Sequence, residues 1–180
     1  TRLVFCEISL QTPHLLLLDE PTNAADMEMI DSMAEAIKSF NGGVVVIAGR
    51  PHFRDRELAD LAKIQGNGAA LASGFERYSH DIFKRLFGAF CCVIVDTRGD
   101  RVLLGIDRLG QHSMYYHASD KTLSFGSSAG GALVGAETTG QLLEQGVYNY
   151  VYFHMAPSPG TVYRGLSKLP SAHYLDYQNG

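Results

Sequence analysis

The sequence predicts a mixed α/β (α+β) domain, and three stretches carry that prediction. Phe90 to Phe125 holds four short β-rich runs separated by turn formers, the pattern of an antiparallel meander. Leu15 to Ile47 reads as strand, helix, strand. Between them, Asp55 to Leu86 repeats its apolar residues at helical spacing.

In chain order, Leu15-Leu16-Leu17-Leu18 predicts a buried strand with two acids, Asp19 and Glu20, at its carboxyl end. A parallel α/β sheet places its ligands at that end. Asp26 caps a helix whose Ile30, Met33, Ala34, Ile37 and Phe40 form one apolar face, and Gly42-Gly43 ends it. Met27, Met29 and Met33 serve as packing residues. Val44 to Ile47 is the second strand, and a right-handed crossover makes the pair parallel. Pro51 to Arg54 reads as a loop.

Asp55 starts a helix through Lys63, and Gly66-Asn67-Gly68 breaks it. Leu71, Phe75, Tyr78, Ile82 and Leu86 mark a second helical stretch, interrupted near Ser79-His80-Asp81. Gly88 introduces the meander. Its first run, Phe90 to Val95, is apolar at every position, which predicts cover on both faces. After Phe125 come a short helix over Ala129 to Val134 and a helix over Gln141 to Tyr150, capped from Thr138-Thr139-Gly140. His154 to Gly160 reads as a loop, and Thr161-Val162-Tyr163 pairs with Tyr174 to Tyr177 as a final strand pair. Tyr148, Tyr150, Tyr152 and Phe153 read as core and rim.

At 180 residues the chain can bury a real core, and 46% hydrophobic with 19% charged residues is ordinary for a globular protein. The net charge of -4, with scattered basic residues, gives no footprint for nucleic acid or an anionic membrane. Adjacent strand residues point to opposite faces, so Cys91 and Cys92 read as reduced core thiols, which favours a cytoplasmic compartment. Cys6 reads as an apolar-face helix residue. The seven histidines show no metal-ligand spacing. Asp107 and Arg108 form a structural ion pair or a turn anchor.

Two resemblances overlie this pattern. Phe90 to Asp96, Gly105-Ile106-Asp107-Arg108-Leu109-Gly110, Tyr115-Tyr116 and Phe125-Gly126-Ser127-Ser128 resemble the glutaminase domain of asparagine synthetases. Ala156 to Gly165 and Lys168 to Leu175 continue the likeness, which spans about residues 46–180. It implies a class II glutamine amidotransferase with an N-terminal-nucleophile-like antiparallel sheet core. Ser113 departs from it, where the family has a proline before the tyrosine pair. Arg2 to Val46, most specifically Leu15 to Asn23, resembles the ATPase cassette of soluble ABC-F proteins through the Walker B and D-loop segments. That likeness implies Mg²⁺ on Asp19 and water polarisation by Glu20. No GxxxxGK[ST] sequence is present to cradle phosphates. The D-loop reads Asn23-Ala24-Ala25-Asp26, and Gly49-Arg50 replaces the switch histidine and its neighbour.

The two likenesses meet in the apolar strand at Val46 and together imply a chimera, natural or made. Residues 1–46 are ABC ATPase-like and 47–180 glutaminase-like, in one compact unit. The glutaminase family uses an N-terminal cysteine whose α-amine is its base. Here residue 1 is Thr1, a residue type able to act as such a nucleophile. The family's Asn-Gly, which donates to the oxyanion, appears as Ala48-Gly49, so only the Gly49 N–H of that pair is retained, with Arg50 beside it as an anion-binding candidate. Three classes of function follow: an impaired glutaminase acting on glutamine with no required cofactor, an ATP-binding fragment using Mg-ATP at Asp19 and Glu20, and a non-catalytic domain that docks on a synthetase-domain partner.

Overall fold

A computed structural model describes residues 15–19, 42–96, 99–136, 138 and 140–178. Two sheets form its frame. The larger has strands β1 (Leu15–Asp19), β2 (Gly43–Phe53), β3 (Leu86–Asp96), β4 (Arg101–Ile106) and β8 (Tyr174–Gln178), side by side in the order β1-β2-β3-β4-β8. The smaller has β5 (Tyr115–Ala118), β6 (Leu123–Gly126) and β7 (Ser167–Lys168), in the order β6-β5-β7. Two helices, α1 (Arg56–Gln65) and α2 (Asn67–Tyr78), continue into a 3₁₀ turn over Ser79–Arg85. Helices α3 (Ala129–Val134) and α4 (Glu144–Phe153) follow the small sheet's hairpin.

β1 pairs parallel with β2, Leu15 opposite Gly43 through Asp19 opposite Ile47. This is the pairing that a strand-helix-strand unit predicts. The helix expected over residues 26–41 lies outside the described residues. β2 runs unbroken through the junction of the two resemblances, with Val46 opposite Val93 and Ile47 opposite Cys92 on β3. Both parts of the chain therefore share one sheet.

β3 is covered on both faces, as its unbroken apolar run predicts. Phe90, Cys92 and Ile94 pack with Val45, Ile47 and Leu103 beneath Leu58, Leu71 and Ile82 of the helical layer. Cys91 and Val93 point the other way, to Leu104, Ile106, Met114 and Leu169, with Tyr116 and Leu123 of the small sheet against them. The period-two alternation of the strand thus divides one apolar run between two cores. Each large buried aliphatic side chain contributes on the order of 2 kcal/mol of transfer free energy.

The Asp55 carboxylate accepts the Glu57 and Leu58 N–H groups at 3.0 and 3.3 Å and caps α1. Tyr78 donates its hydroxyl to the same carboxylate at 2.6 Å, tying α2 to the start of α1. Gly66, at φ 90°, makes the break between the two helices, while Asn67 and Gly68 already belong to α2. Arg101 grips Asp176 with Nε and Nη2 at 2.8 and 2.6 Å and donates Nη1 to Ser79 Oγ at 2.8 Å. That fork fastens the 3₁₀ turn to the β4–β8 pair.

Several expectations are corrected. The four runs of the meander do not form one sheet: β3 and β4 pair in the large sheet, β5 and β6 in the small one. Residues 51–53 are strand, not loop, with Pro51 opposite Gly88 and Phe53 opposite Leu86. Beyond Ile47, β2 has no described neighbour on its other side, an edge setting in which proline is tolerated. Gly88 sits inside β3 rather than before it, and Leu86 opens that strand rather than closing a helix. β8 pairs with β4, and Tyr163 makes an isolated bridge to Leu142 instead of a strand with β8. α4 starts at Glu144, three residues after Gln141, because Leu142 is held in that bridge. The Thr138 hydroxyl donates to the Arg164 carbonyl rather than capping α4.

Two burial expectations also fail. Leu17 is 37% exposed on β1. Tyr148, Tyr150, Tyr152 and Phe153 are exposed along α4, with the Tyr148 and Tyr152 rings stacked at 6.1 Å. Their helix is apolar on nearly every side, so spacing alone could not say which side faces the core. Among the described residues, no helix is long and apolar enough to cross a membrane.

Candidate functional site

The site forms where β2 passes the loop after β4. Gly49 has φ +88°, a conformation that residues with a β-carbon rarely adopt. A β-carbon there would lie 2.5 Å from the Ala89 carbonyl oxygen and 2.5 Å from Nε2 of His112. Glycine is thus required twice, by its backbone angle and by the closeness of the imidazole.

His112 is placed by Asp107. This aspartate is 1% exposed, just past the end of β4. Its backbone N–H donates to the Phe90 carbonyl at 3.0 Å, and its own carbonyl accepts the N–H groups of Gly110 and Ala172 at 3.2 and 2.9 Å. The carboxylate accepts the N–H of Leu109 at 2.9 Å and that of Gln111 at 3.0 and 3.3 Å. It also accepts the His112 N–H at 3.4 Å. Burial alone would raise this carboxyl group's pKa; the N–H groups of Gln111, Leu109 and His112 outweigh it and hold the pKa below the usual aspartate value. Asp107 is therefore an ionised turn anchor, one of the two roles its position predicted.

Arg50 follows Gly49 on the exposed side of β2, opposite Ala89, and has no ion-pair partner among the described residues. Asp19 is the last residue of β1 and registers with Ile47, two residues before Gly49. The fold thus brings the ATPase-like strand end and the glutaminase-like Gly49-Arg50 pair to adjacent positions of one sheet. Thr1, Cys6 and Glu20 lie outside the described residues. The two described thiols are poor nucleophiles. Cys91 and Cys92 are free and buried, and desolvation pushes both upward in pKa, with the Asp107 charge adding to the shift at Cys91.

His112 was not singled out by the sequence. It belongs to a stretch without ligand spacing, and its approach to Gly49 depends on contact between β2 and the loop after β4. Only its closeness to the Asp107-to-Gly110 motif marked it. Among the described residues, no three His, Cys, Asp or Glu side chains are grouped to hold a metal ion.

Comparison with known proteins extends both resemblances. A family model described as "Glutamine amidotransferase domain" matches residues 25–180. The chain belongs to that family. The amidotransferase domain is also similar to ABC-type ATP-binding proteins over part of its length. It is 60% identical over 48 residues to ABC transporter F family member 2 of Dictyostelium discoideum, covering 27% of the chain and 8% of that protein. It is 38% identical over 91 residues to ABC transporter F family member 4 of Arabidopsis thaliana, covering 47% and 13%. It is 42% identical over 74 residues to the ABC transporter ATP-binding protein ARB1 of Saccharomyces cerevisiae, covering 41% and 12%. These matches span only about a tenth of each relative's length. The family match begins at residue 25, ahead of Val46, and together these matches are consistent with the chimeric reading that the motifs imply.

Proposed function

We propose that this chain is an asparagine-synthetase-like glutaminase domain impaired in hydrolysing glutamine. The observation that carries the reading is the Ala48-Gly49 pair beside the Asp107-anchored loop. Gly49 keeps a positive φ within β2, while the residue before it offers only a methyl group, facing the core around Cys91 and Leu104. Losing one oxyanion donor costs about 3 kcal/mol of transition-state stabilisation, or roughly two orders of magnitude in rate. Gly49 and Arg50 are the candidate substrate contacts. The reduced, buried Cys91 and Cys92 support a cytoplasmic setting.

The test is direct assay of glutamate and ammonia from glutamine. The expected rate lies below about 0.1 s⁻¹, against a typical enzyme value of about 10 s⁻¹. Turnover near the typical value would overturn the impairment.

Two observations favour other readings. Asp19 ends a parallel strand, and the chain is similar to ABC-F proteins, which supports Mg-ATP on Asp19 and Glu20. A ligand held there would raise the melting temperature by mass action at millimolar Mg-ATP. The exposed aromatic side chains of α4 support docking on a synthetase domain. Co-purification with such a domain, lost on replacing Tyr148 and Tyr152 by serine, would test that.

A further inference from the structure

On the far side of the small sheet, β5, β7, α3, α4 and the loop after α4 line an open cavity of about 300 Å³. That is the lower end of the size range of small-molecule sites. Its floor includes Tyr115, Tyr163 and Lys168, and its rim Tyr150, His154 and Met155.

The polar groups of this cavity are unbalanced in charge. Lys168 is half-buried, and its ammonium lies 5.7 Å from the centroid of the Tyr115 ring. No Asp or Glu is among the described residues lining the cavity, and Lys168 has no ion-pair partner among the described residues. The Thr161 hydroxyl, which also borders the cavity, is already spent on the carbonyls of Tyr163 and Leu166 at 3.0 and 2.9 Å. What remains is an ammonium held by one aromatic face, with phenol and imidazole groups around it. A partly desolvated cation of this kind is stabilised by an incoming anion. The Met155 thioether and the tyrosine rings form apolar walls that suit a flat hydrocarbon body.

We propose that this cavity binds a small organic carboxylate with a compact aromatic or branched apolar body, its carboxylate on Lys168 and its body against Tyr150 and Met155. The site is separate from the Gly49–His112 site and does not depend on glutamine chemistry.

The test is titration of the whole chain with benzoate and with neutral benzamide, followed by amide chemical shifts. Benzoate is expected to saturate, with benzamide at least about tenfold weaker, the difference that one charge-assisted contact makes. Lys168→Met should cost benzoate at least about tenfold and leave benzamide unchanged, while Lys168→Arg should keep benzoate binding within about threefold. Should Lys168→Met fail to fold, the unmodified chain still decides: shifts confined to Tyr115, Thr161 to Tyr163 and Lys168 support the site. Shifts centred elsewhere, equal binding of benzamide, or no saturation by benzoate would overturn it.

Discussion

Nε2 of His112 lies where a β-carbon on Gly49 would have to go, 2.5 Å from it. Gly49→Ala must therefore move the imidazole or the strand, in a backbone conformation that alanine disfavours. A loss of about 2–3 kcal/mol is expected, or roughly 5–10 °C in melting temperature for a chain of this size. Thermal unfolding followed by circular dichroism reads it. Gly130→Ala is the control: it sits in α3 with nothing within 4 Å of a new β-carbon and should be neutral or slightly stabilising. Equal effects of the two substitutions would contradict the close approach.

Asp107 holds three loop N–H groups with one carboxylate. Asp107→Ala leaves them without that acceptor and is expected to cost about 3 kcal/mol. The loop should also loosen first, so amide exchange at Leu109, Gln111 and His112 should quicken more than exchange in β3. Unchanged exchange at those three amides would remove Asp107 from its anchoring role.

Acid should weaken the fold in a defined window. Asp176 is held below the usual aspartate range first by its hydrogen bonds from Arg101, then by that arginine's charge, and Asp107 is held low by loop N–H groups. The unfolded chain binds protons on both near pH 4, before the folded chain does. Their contribution is thus complete above that pH and is lost as pH falls through the lower folded values. Denaturant titrations between pH 6 and pH 3 should show the decline, and Asp176→Asn should make it shallower. A slope unaffected by that substitution would mean that the Arg101 fork contributes nothing.

Buried, protonated thiols resist modification. In a Cys6→Ser background, Cys91 and Cys92 should react with an aromatic disulfide reagent only on the timescale of unfolding, and at once in guanidinium. Fast labelling of the native chain at neutral pH would contradict their placement in the two cores.

Much of the frame was legible because it rests on local chemistry. The two-faced burial of Phe90 to Val95, the Asp55 cap, the interruption at Ser79 and the parallel pairing of the leucine strand all follow from spacing and side-chain type. The failures come from contacts distant in sequence. Asp107 ties Phe90 and Ala172 to the end of β4, and the chain then enters a second sheet, which divides the expected meander. Pro51 suits a strand because β2 becomes an edge beyond Ile47, and pairing decides that. Family likeness pointed to Gly49 and Arg50 as candidates, while nothing local pointed to His112, which meets Gly49 only after β2, β3 and the loop are assembled.

The continuity of β2 has a practical outcome. Val45 and Ile47 are buried on either side of Val46, where the segments carrying the two resemblances meet, so a protease reaching that point must first open the interior. The segments offer no severable hinge there. They should withstand digestion together, melt in a single transition, and yield no stable fragment when the chain is divided at that point.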